Sequence, residues 1–143
     1  MNADPTTGNF TLDGGETLGS HVTRSDFLST PIGVMSKVLV KNEPWCSFSI
    51  PISDKSISLS VFFNGETLDA IHITVLGTAF GTSWNDWSEE KERARKIAND
   101  QWLISKGLTP GERYLWGFVW SGTDPKGGLS CAVVRYGTER VER

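Results

Sequence analysis

Two histidines and two cysteines are the chain's whole stock of soft nucleophiles, bases and metal ligands beyond its carboxylates. Their spacing limits what they can do together. His21 and His72 have no ligand-spaced partner, and neither Cys46 nor Cys131 belongs to a CxxC pair, so no metal site and no cofactor are expected. A cysteine nucleophile beside His72 is compatible with the residue types. Both cysteines, however, lie in apolar strand-like runs, where a thiol stays protonated and inert. Asp86, Glu89 and Glu90 could be searched for a glycosidase carboxylate pair, but helix capping accounts for them more simply. The glycines between Gly122 and Gly128 join two strands rather than a strand to a helix, which is not the arrangement of a phosphate loop. The expectation is a protein that is not an enzyme and works by binding.

Tryptophan is the compositional departure, with six in the chain. A large ring with one donor suits the edge of a core or a contact surface. Trp84 and Trp87 stand three apart at a helix entry, where they could staple the helix to a sheet or project into a partner's pocket. Trp87 and Trp102 are assigned to the core; for Trp84 and Trp45 core edge and exposed surface are equally open.

The element that must position these residues is the run from Gly81 to Gly107, which predicts a helix over about 85–106. Ser83 with Asp86, and Asp86 with Glu89, have capping-box spacing, while Lys106 and Gly107 mark the C-terminus. Glu89–Arg93 and Glu92–Lys96 form i,i+4 pairs on a solvated face. Ala94, Ile97, Ala98, Trp102 and Leu103 form the stripe expected to lie on the sheet.

Strands surround this helix. Phe10 and Leu12 precede an Asp13-Gly14-Gly15 turn, with Thr17–Val22 pairing back. Thr23 or Ser25 caps a short helix through Leu28, closed by Pro31 and Gly33. Val34–Val40 alternates weakly. In Trp45–Ile52 the residues Cys46, Phe48, Ile50 and Ile52 share a face, and Pro51 marks an edge or an end. Ile57, Leu59, Val61 and Phe63 alternate with serines, Asn64-Gly65 forms a hairpin turn, and Leu68–Leu76 returns with Ile71, Ile73 and Val75 on one side. Tyr114–Ser121 is apolar on both faces and is expected to be a central strand, followed by Leu129–Tyr136. The charged tail from Thr138 to Arg143 is expected to be loose. The fold class is α+β: a single domain over residues 1–143, mainly an antiparallel sheet with one long helix and a short N-terminal helix packed on it.

At 143 residues the chain can bury one core, and its longest apolar runs are too short to span a membrane. The N-terminus lacks a basic and then apolar leader, so the cytoplasm is the expected compartment and the cysteines are expected to be free thiols. A net charge of −3 argues against direct nucleic-acid or anionic-membrane binding. Every charged residue from Met1 to Thr23 (Asp4, Asp13, Glu16) and from Ser56 to Ser88 (Glu66, Asp69, Asp86) is acidic. Such segments could face a basic partner.

The segments SWNDWSEEKERARKIANDQWL and YLWGFVWSGTDPKGGLSCAVVRYG carry a Trp-x-Asp-Trp-Ser-Glu-Glu helix start (Trp84 to Glu90) and a Trp102-Leu103 pair. They continue with Trp116-Gly117 and an Asp124-Pro125-Lys126-Gly127-Gly128 turn. In these features the chain resembles a family of small bacterial proteins similar to those encoded beside polymorphic toxins, including contact-dependent growth inhibition systems. The resemblance covers the C-terminal half well and the N-terminal half loosely. It implies an immunity protein whose partner is a cognate toxin domain. The acidic segments would suit a basic nuclease, with Trp84, Asn85, Asp86, Glu66, Asp69, Glu89 and Glu90 as the candidate contact residues. The alternative is a small-molecule or carbohydrate-binding module that uses exposed tryptophans on the sheet. A hydrolase is third, and requires a cleft that joins His72 to a cysteine or a carboxylate.

Overall fold

The computed structural model describes residues 1–137; the tail expected to be loose lies outside the described residues. The chain is α+β. Strands β1 (Asn2–Asp4), β2 (Asn9–Thr11) and β3 (Thr17–Leu18) form a small antiparallel sheet. Two short helices follow, α1 (Arg24–Ser29) and α2 (Pro31–Met35). Next come β4 (Lys37–Asn42), β5 (Trp45–Ile50), β6 (Ile57–Asn64) and β7 (Thr67–Val75). Helix α3 (Glu89–Ser105) leads to β8 (Arg113–Tyr114), β9 (Gly117–Thr123) and β10 (Ser130–Tyr136). The large sheet is antiparallel throughout, in the order β4-β5-β6-β7-β10-β9-β8.

The β6–β7 hairpin follows from its alternation. Leu59, Val61, Phe63, Ile71 and Ile73 are fully buried on one face, and Gly65 at φ 61° supplies the left-handed turn residue. The same face of β10 and β9 adds Ala132, Val134 and Val119. Phe27 of α1 packs on it against Phe48 and Phe63, with ring centroids 5.4 and 5.6 Å away. Phe10 of the small sheet stacks on Trp102 of α3 at 6.3 Å.

Several expectations need correction. Thr23 does cap α1, accepting from the Asp26 amide, but Pro31 does not end the helical region; it sits at the start of α2, whose cap is Thr30. Proline has the φ of a first helical turn and lacks a donor that would be orphaned there. Gly33 allows the two helices to meet, since a Cβ on it would lie 1.8 Å from the Phe27 carbonyl oxygen. Tyr114–Ser121 is not one central strand. The chain turns at Leu115-Trp116, which makes β8 a two-residue edge strand and leaves β10 inside the sheet beside β7 and β9. The strand beginning at Trp45 ends at Ile50, before Pro51.

Helix α3 begins at Glu89, not near 85. Ser88 caps it by accepting from the Lys91 amide, while Trp84–Asp86 is a separate 3-10 turn. Its end matches expectation. The Gly107 amide reaches the Ile104 carbonyl, the Leu108 amide reaches the Leu103 carbonyl, and Gly107 has φ 84°. This is a Schellman closure with its apolar contact pair buried.

The stripe that docks α3 is only in part the apolar one: Leu103 is buried and Trp102 packs on the core as expected. Its buried residues are Glu92, Arg95, Asn99 and Leu103, whereas Ala94 and Ile97 face outward. Glu92 pairs with Arg95 at 2.8 Å and not with Lys96, which reaches Asp100 at 2.7 Å. The second carboxylate oxygen of Glu92 accepts from the Ser130 amide at 2.8 Å. Arg95 donates through Nε to the Val75 carbonyl and through Nη2 to the Gly81 carbonyl, and Asn99 accepts from the Val75 amide. Each buried charge is paired and tied to backbone, the condition for burying one at tolerable cost.

Among the described residues, no helix lies on the other face of the large sheet. Along β6, β7, β10 and β9 it presents Ser58, Ser60, Phe62, Ala70, His72, Thr74, Cys131, Val133, Arg135, Phe118 and Trp120. Cys46 is a buried free thiol and Cys131 a partly buried one. His72 packs tilted against Phe62, ring centroids 4.2 Å apart, and burial, with Arg135 adding to it, pushes the imidazole down to about 4. The unfolded imidazole takes up its proton near 6.5 and the folded one only near 4, so stability falls as pH drops through that window.

Two outcomes follow from this packing. Replacing Arg95 by Met strands the Glu92 carboxylate and lowers unfolding stability by about 3–5 kcal/mol, much of it restored by adding Glu92→Gln, as read from urea midpoints. Between pH 7 and pH 4.5 the His72→Gln variant loses about 2 kcal/mol less than the parent chain; equal losses would show that His72 does not set the acid sensitivity.

Candidate functional site

The 3-10 turn at Trp84–Asp86 is built around one carboxylate. Asp86 accepts from the amides of Thr82 and Ser83, both at 2.9 Å, and from the Thr82 hydroxyl at 3.2 Å, while the Ser83 hydroxyl accepts from the Asn85 amide. The Ser83 and Thr82 amides hold the Asp86 carboxyl below the ordinary aspartate value. The Lys91 ammonium donates to the Asp86 carbonyl at 3.0 Å, which fixes the turn to the first turn of α3.

This turn projects Trp84, which is 67% exposed, beside Trp87, which is 40% exposed; their ring centroids are 6.1 Å apart. Trp87 is therefore a surface residue rather than a core one. Besides its partial burial, Trp87 is held by its indole N–H, which donates to the Gly128 carbonyl at 2.9 Å. That bond joins the two segments richest in motif residues, the 84–90 helix entry and the 124–128 turn. The turn is ordered in its own right: Asp124 accepts from the Lys126 amide and the Gly128 amide donates to the Asp124 carbonyl.

Two open clefts, of about 500 and 490 Å³, lie on either side of the tryptophans. The first is bounded by Thr74, Leu76, Ser83 and Leu129 and reaches the Glu92–Arg95 pair. The second is bounded by Glu89, Arg93, Asp124 and Lys126. The ledge is thus an aromatic ridge with charge of both signs on one flank. Glu89 makes a loose 3.8 Å pair with Arg93, and both side chains are largely exposed.

The seven candidate contact residues do not form one surface. Trp84, Asn85, Glu89 and Glu90 are exposed together at the entry to α3. Asp86 is there too, but its oxygens are occupied by the turn it holds. Glu66 sits in the β6–β7 turn, at the opposite end of a nine-residue strand that spans roughly 25 Å, and accepts from the Ser25 amide at the start of α1. Asp69 is 6% exposed, at the irregularity where Ala70 pairs with Phe62 but Leu68 pairs with Phe63, and it binds Arg135 at 2.6 Å. Leu76, Arg93, Asp124, Lys126 and Leu129 belong to the ledge and were not among the seven. The signal for the 124–128 turn was its place in the same motif as Trp84 and Trp87.

Neither of the two clefts joins His72 to a cysteine or a carboxylate. His72 lines neither of them, and burial shifts both it and Cys131 toward their neutral forms, the thiol upward and the imidazole downward. Among the described residues, no three His, Cys, Asp or Glu side chains are grouped to hold a metal ion, and no helix is long and apolar enough to cross a membrane. Compared with protein families, curated proteins and solved structures, the chain shows no significant match.

The Asp86 turn has a pH signature. Its stabilisation is present above the ordinary aspartate value of 3.8 and fades as pH falls through the lower folded value. Amide exchange at Thr82 and Ser83, corrected for intrinsic rate, is expected to quicken on that acidification. Asp86→Asn should show the faster exchange already at neutral pH and change little below it.

Proposed function

We propose that this chain is an immunity protein that binds a cognate bacterial toxin domain and blocks it, with the Trp84–Trp87 ridge as its anchor. The observation that carries the reading is the exposure of Trp84 on a turn whose backbone is held from both sides, by Asp86 within and by Lys91 beneath. A large ring on a rigid mount loses little conformational freedom on binding, which is what an interface anchor requires. The residue pattern supports the same reading: the two segments in which the chain resembles toxin-associated bacterial proteins converge here through the Trp87–Gly128 hydrogen bond. Glu89, Glu90 and Asp124 give the flank carboxylates for a basic partner such as a nuclease domain. Asp69 and Glu66 are not part of this contact. The cytoplasm is the compartment such a role requires.

The small-molecule or carbohydrate alternative draws on Trp120 and Trp45, both partly exposed on the open sheet face beside serine and threonine hydroxyls. The two readings separate cleanly. Mixed with the product of the neighbouring upstream gene, the chain should form a complex and inhibit that product's activity, and Trp84→Ala should weaken that complex by about 30-fold. Neither complex nor inhibition, together with a tryptophan fluorescence response to a sugar panel, would reject the immunity role in favour of the alternative.

A further inference from the structure

Trp120 lies on the face of the large sheet opposite α3 and is 41% exposed. A Cβ placed on Gly122, two residues along the same strand, would stand 2.6, 3.0 and 3.2 Å from its Cζ2, Cη2 and Cε2 atoms. Three bonded ring atoms at such similar distances are met by the face of the ring, not by its edge. The indole therefore lies flat along β9, with one face on the Gly122 backbone and the other turned to solvent. Glycine inside a strand marks a place of close approach, and here the ring is what approaches. Trp87 and Trp116 donate their indole N–H groups to backbone carbonyls, whereas that of Trp120 bonds nothing among the described residues.

The surface beside the ring is polar but uncharged. Gly122 pairs with Cys131, and Thr74 with Ser58, so that a row of short side chains crosses β9, β10, β7 and β6 level with the indole. His72 and Ser60 pair in the next row. The hydroxyls of Ser58, Ser60 and Thr74 bond no protein group among the described residues. His72 is neutral above about pH 4, and burial keeps the Cys131 thiol neutral. Arg135, farther along β10, is bound to Asp69 at 2.6 Å, and Asp124, beyond the end of β9, accepts from the Lys126 amide.

These features select the occupant. An anion such as a nucleic-acid phosphate would meet no cation in the two rows. The apolar side chains of a partner protein would strip water from three hydroxyls without returning a bond. A pyranose ring with equatorial hydroxyls satisfies both parts of the surface, because its C–H face stacks on a flat indole and its rim bonds hydroxyls. One such unit is also about as long as the strand spacing of about 4.8 Å, so a chain crossing the strands sets one unit over each. We infer that Trp120 and the row through Thr74 and Ser58 bind a neutral, flat oligosaccharide of equatorially linked pyranose units, stacked at one end on the indole. This does not rest on the immunity reading. Of the two tryptophans open to a sugar on this face it uses Trp120 alone, since Trp45 on β5 is four strands away.

The test titrates the full chain with cellotetraose by calorimetry, against maltotetraose, whose axial linkages make it curl. Cellotetraose should bind about tenfold more tightly, with an affinity that added salt leaves unchanged. Trp120→Ala should weaken it about tenfold and Thr74→Val about threefold. Gly122 does not have positive φ, so alanine fits its backbone; Gly122→Ala lifts the ring without removing a polar group and should cost about fivefold. By NMR the indole N–H of Trp120 should shift most among the six tryptophans. Circular dichroism checks that each variant keeps the fold. Absence of binding, equal binding of the two sugars, affinity retained by Trp120→Ala, or a largest shift at Trp84 or Trp87 would each overturn the inference.

Discussion

The buried pair of Glu92 and Arg95 is the interaction on which the rest of the structure hangs. Between them the two side chains reach the start of β10 at Ser130, the end of β7 at Val75 and the loop at Gly81. Taking two charges out of water costs several kcal/mol each, and only close geometry with full hydrogen bonding offsets it. Here both carboxylate oxygens and all three guanidinium nitrogens have partners. The helix is therefore fastened by direction-specific bonds at its N-terminal half, and by Leu103 and Trp102 against the core at the other. Apolar packing alone tolerates a helix sliding by a fraction of a turn; a three-point polar clamp does not. Its position sets where Trp84 and Trp87 stand.

The acidic residues divide accordingly. Asp86 holds a turn, Glu66 meets the first amides of α1, Asp69 pairs with Arg135, and Glu92 anchors α3. Glu89 and Glu90 remain outward. A charge map drawn from sequence treats these six as equivalent contributors to an acidic surface. In the fold most of them are spent on backbone amides and guanidinium groups, so the field at the ridge comes from few carboxylates and is moderated by Arg93 and Lys126 nearby.

Legibility followed the physics of each signal. The β6–β7 hairpin could be read because serine and aliphatic residues alternate from Ser56 to Val61 and Gly65 permits a turn, although the two loop residues are Gly65 and Glu66 and Asn64 stays in the ladder opposite Thr67. The C-terminus of α3 could be read because Gly107 is the residue a left-handed closure needs. The docking face of α3 could not, because an amphipathic pattern assumes that buried means apolar, and this helix buries Glu92, Arg95 and Asn99 while exposing Ile97 and Ile104. The central position of β10 was hidden in the same way. Tyr114–Ser121 is the more apolar segment, but part of it is a turn whose rings cover the N-terminal segment: Trp116 donates to the Pro5 carbonyl and stacks on Tyr114 at 4.9 Å. Of the candidate site, the residues at the helix entry were legible from local spacing. Those brought from the 124–128 turn required the tertiary contact between Trp87 and Gly128.

The order of the large sheet bears on how the chain reaches this state. Strands β4 to β7 form one meander and β8 to β10 another, each made of neighbours in sequence, and the seam between them is β7 against β10. Everything from the loop after Val75 through α3 and β8–β9 must be closed into a loop before that seam can form, and closure entropy is lost before the long-range pairing compensates it. Each meander can assemble on local contacts at little entropic cost. The step that carries the loop-closure cost is the joining of two half-sheets, and Arg95 and Glu92, whose partners lie on either side of the seam, gain their full set of bonds only when it closes.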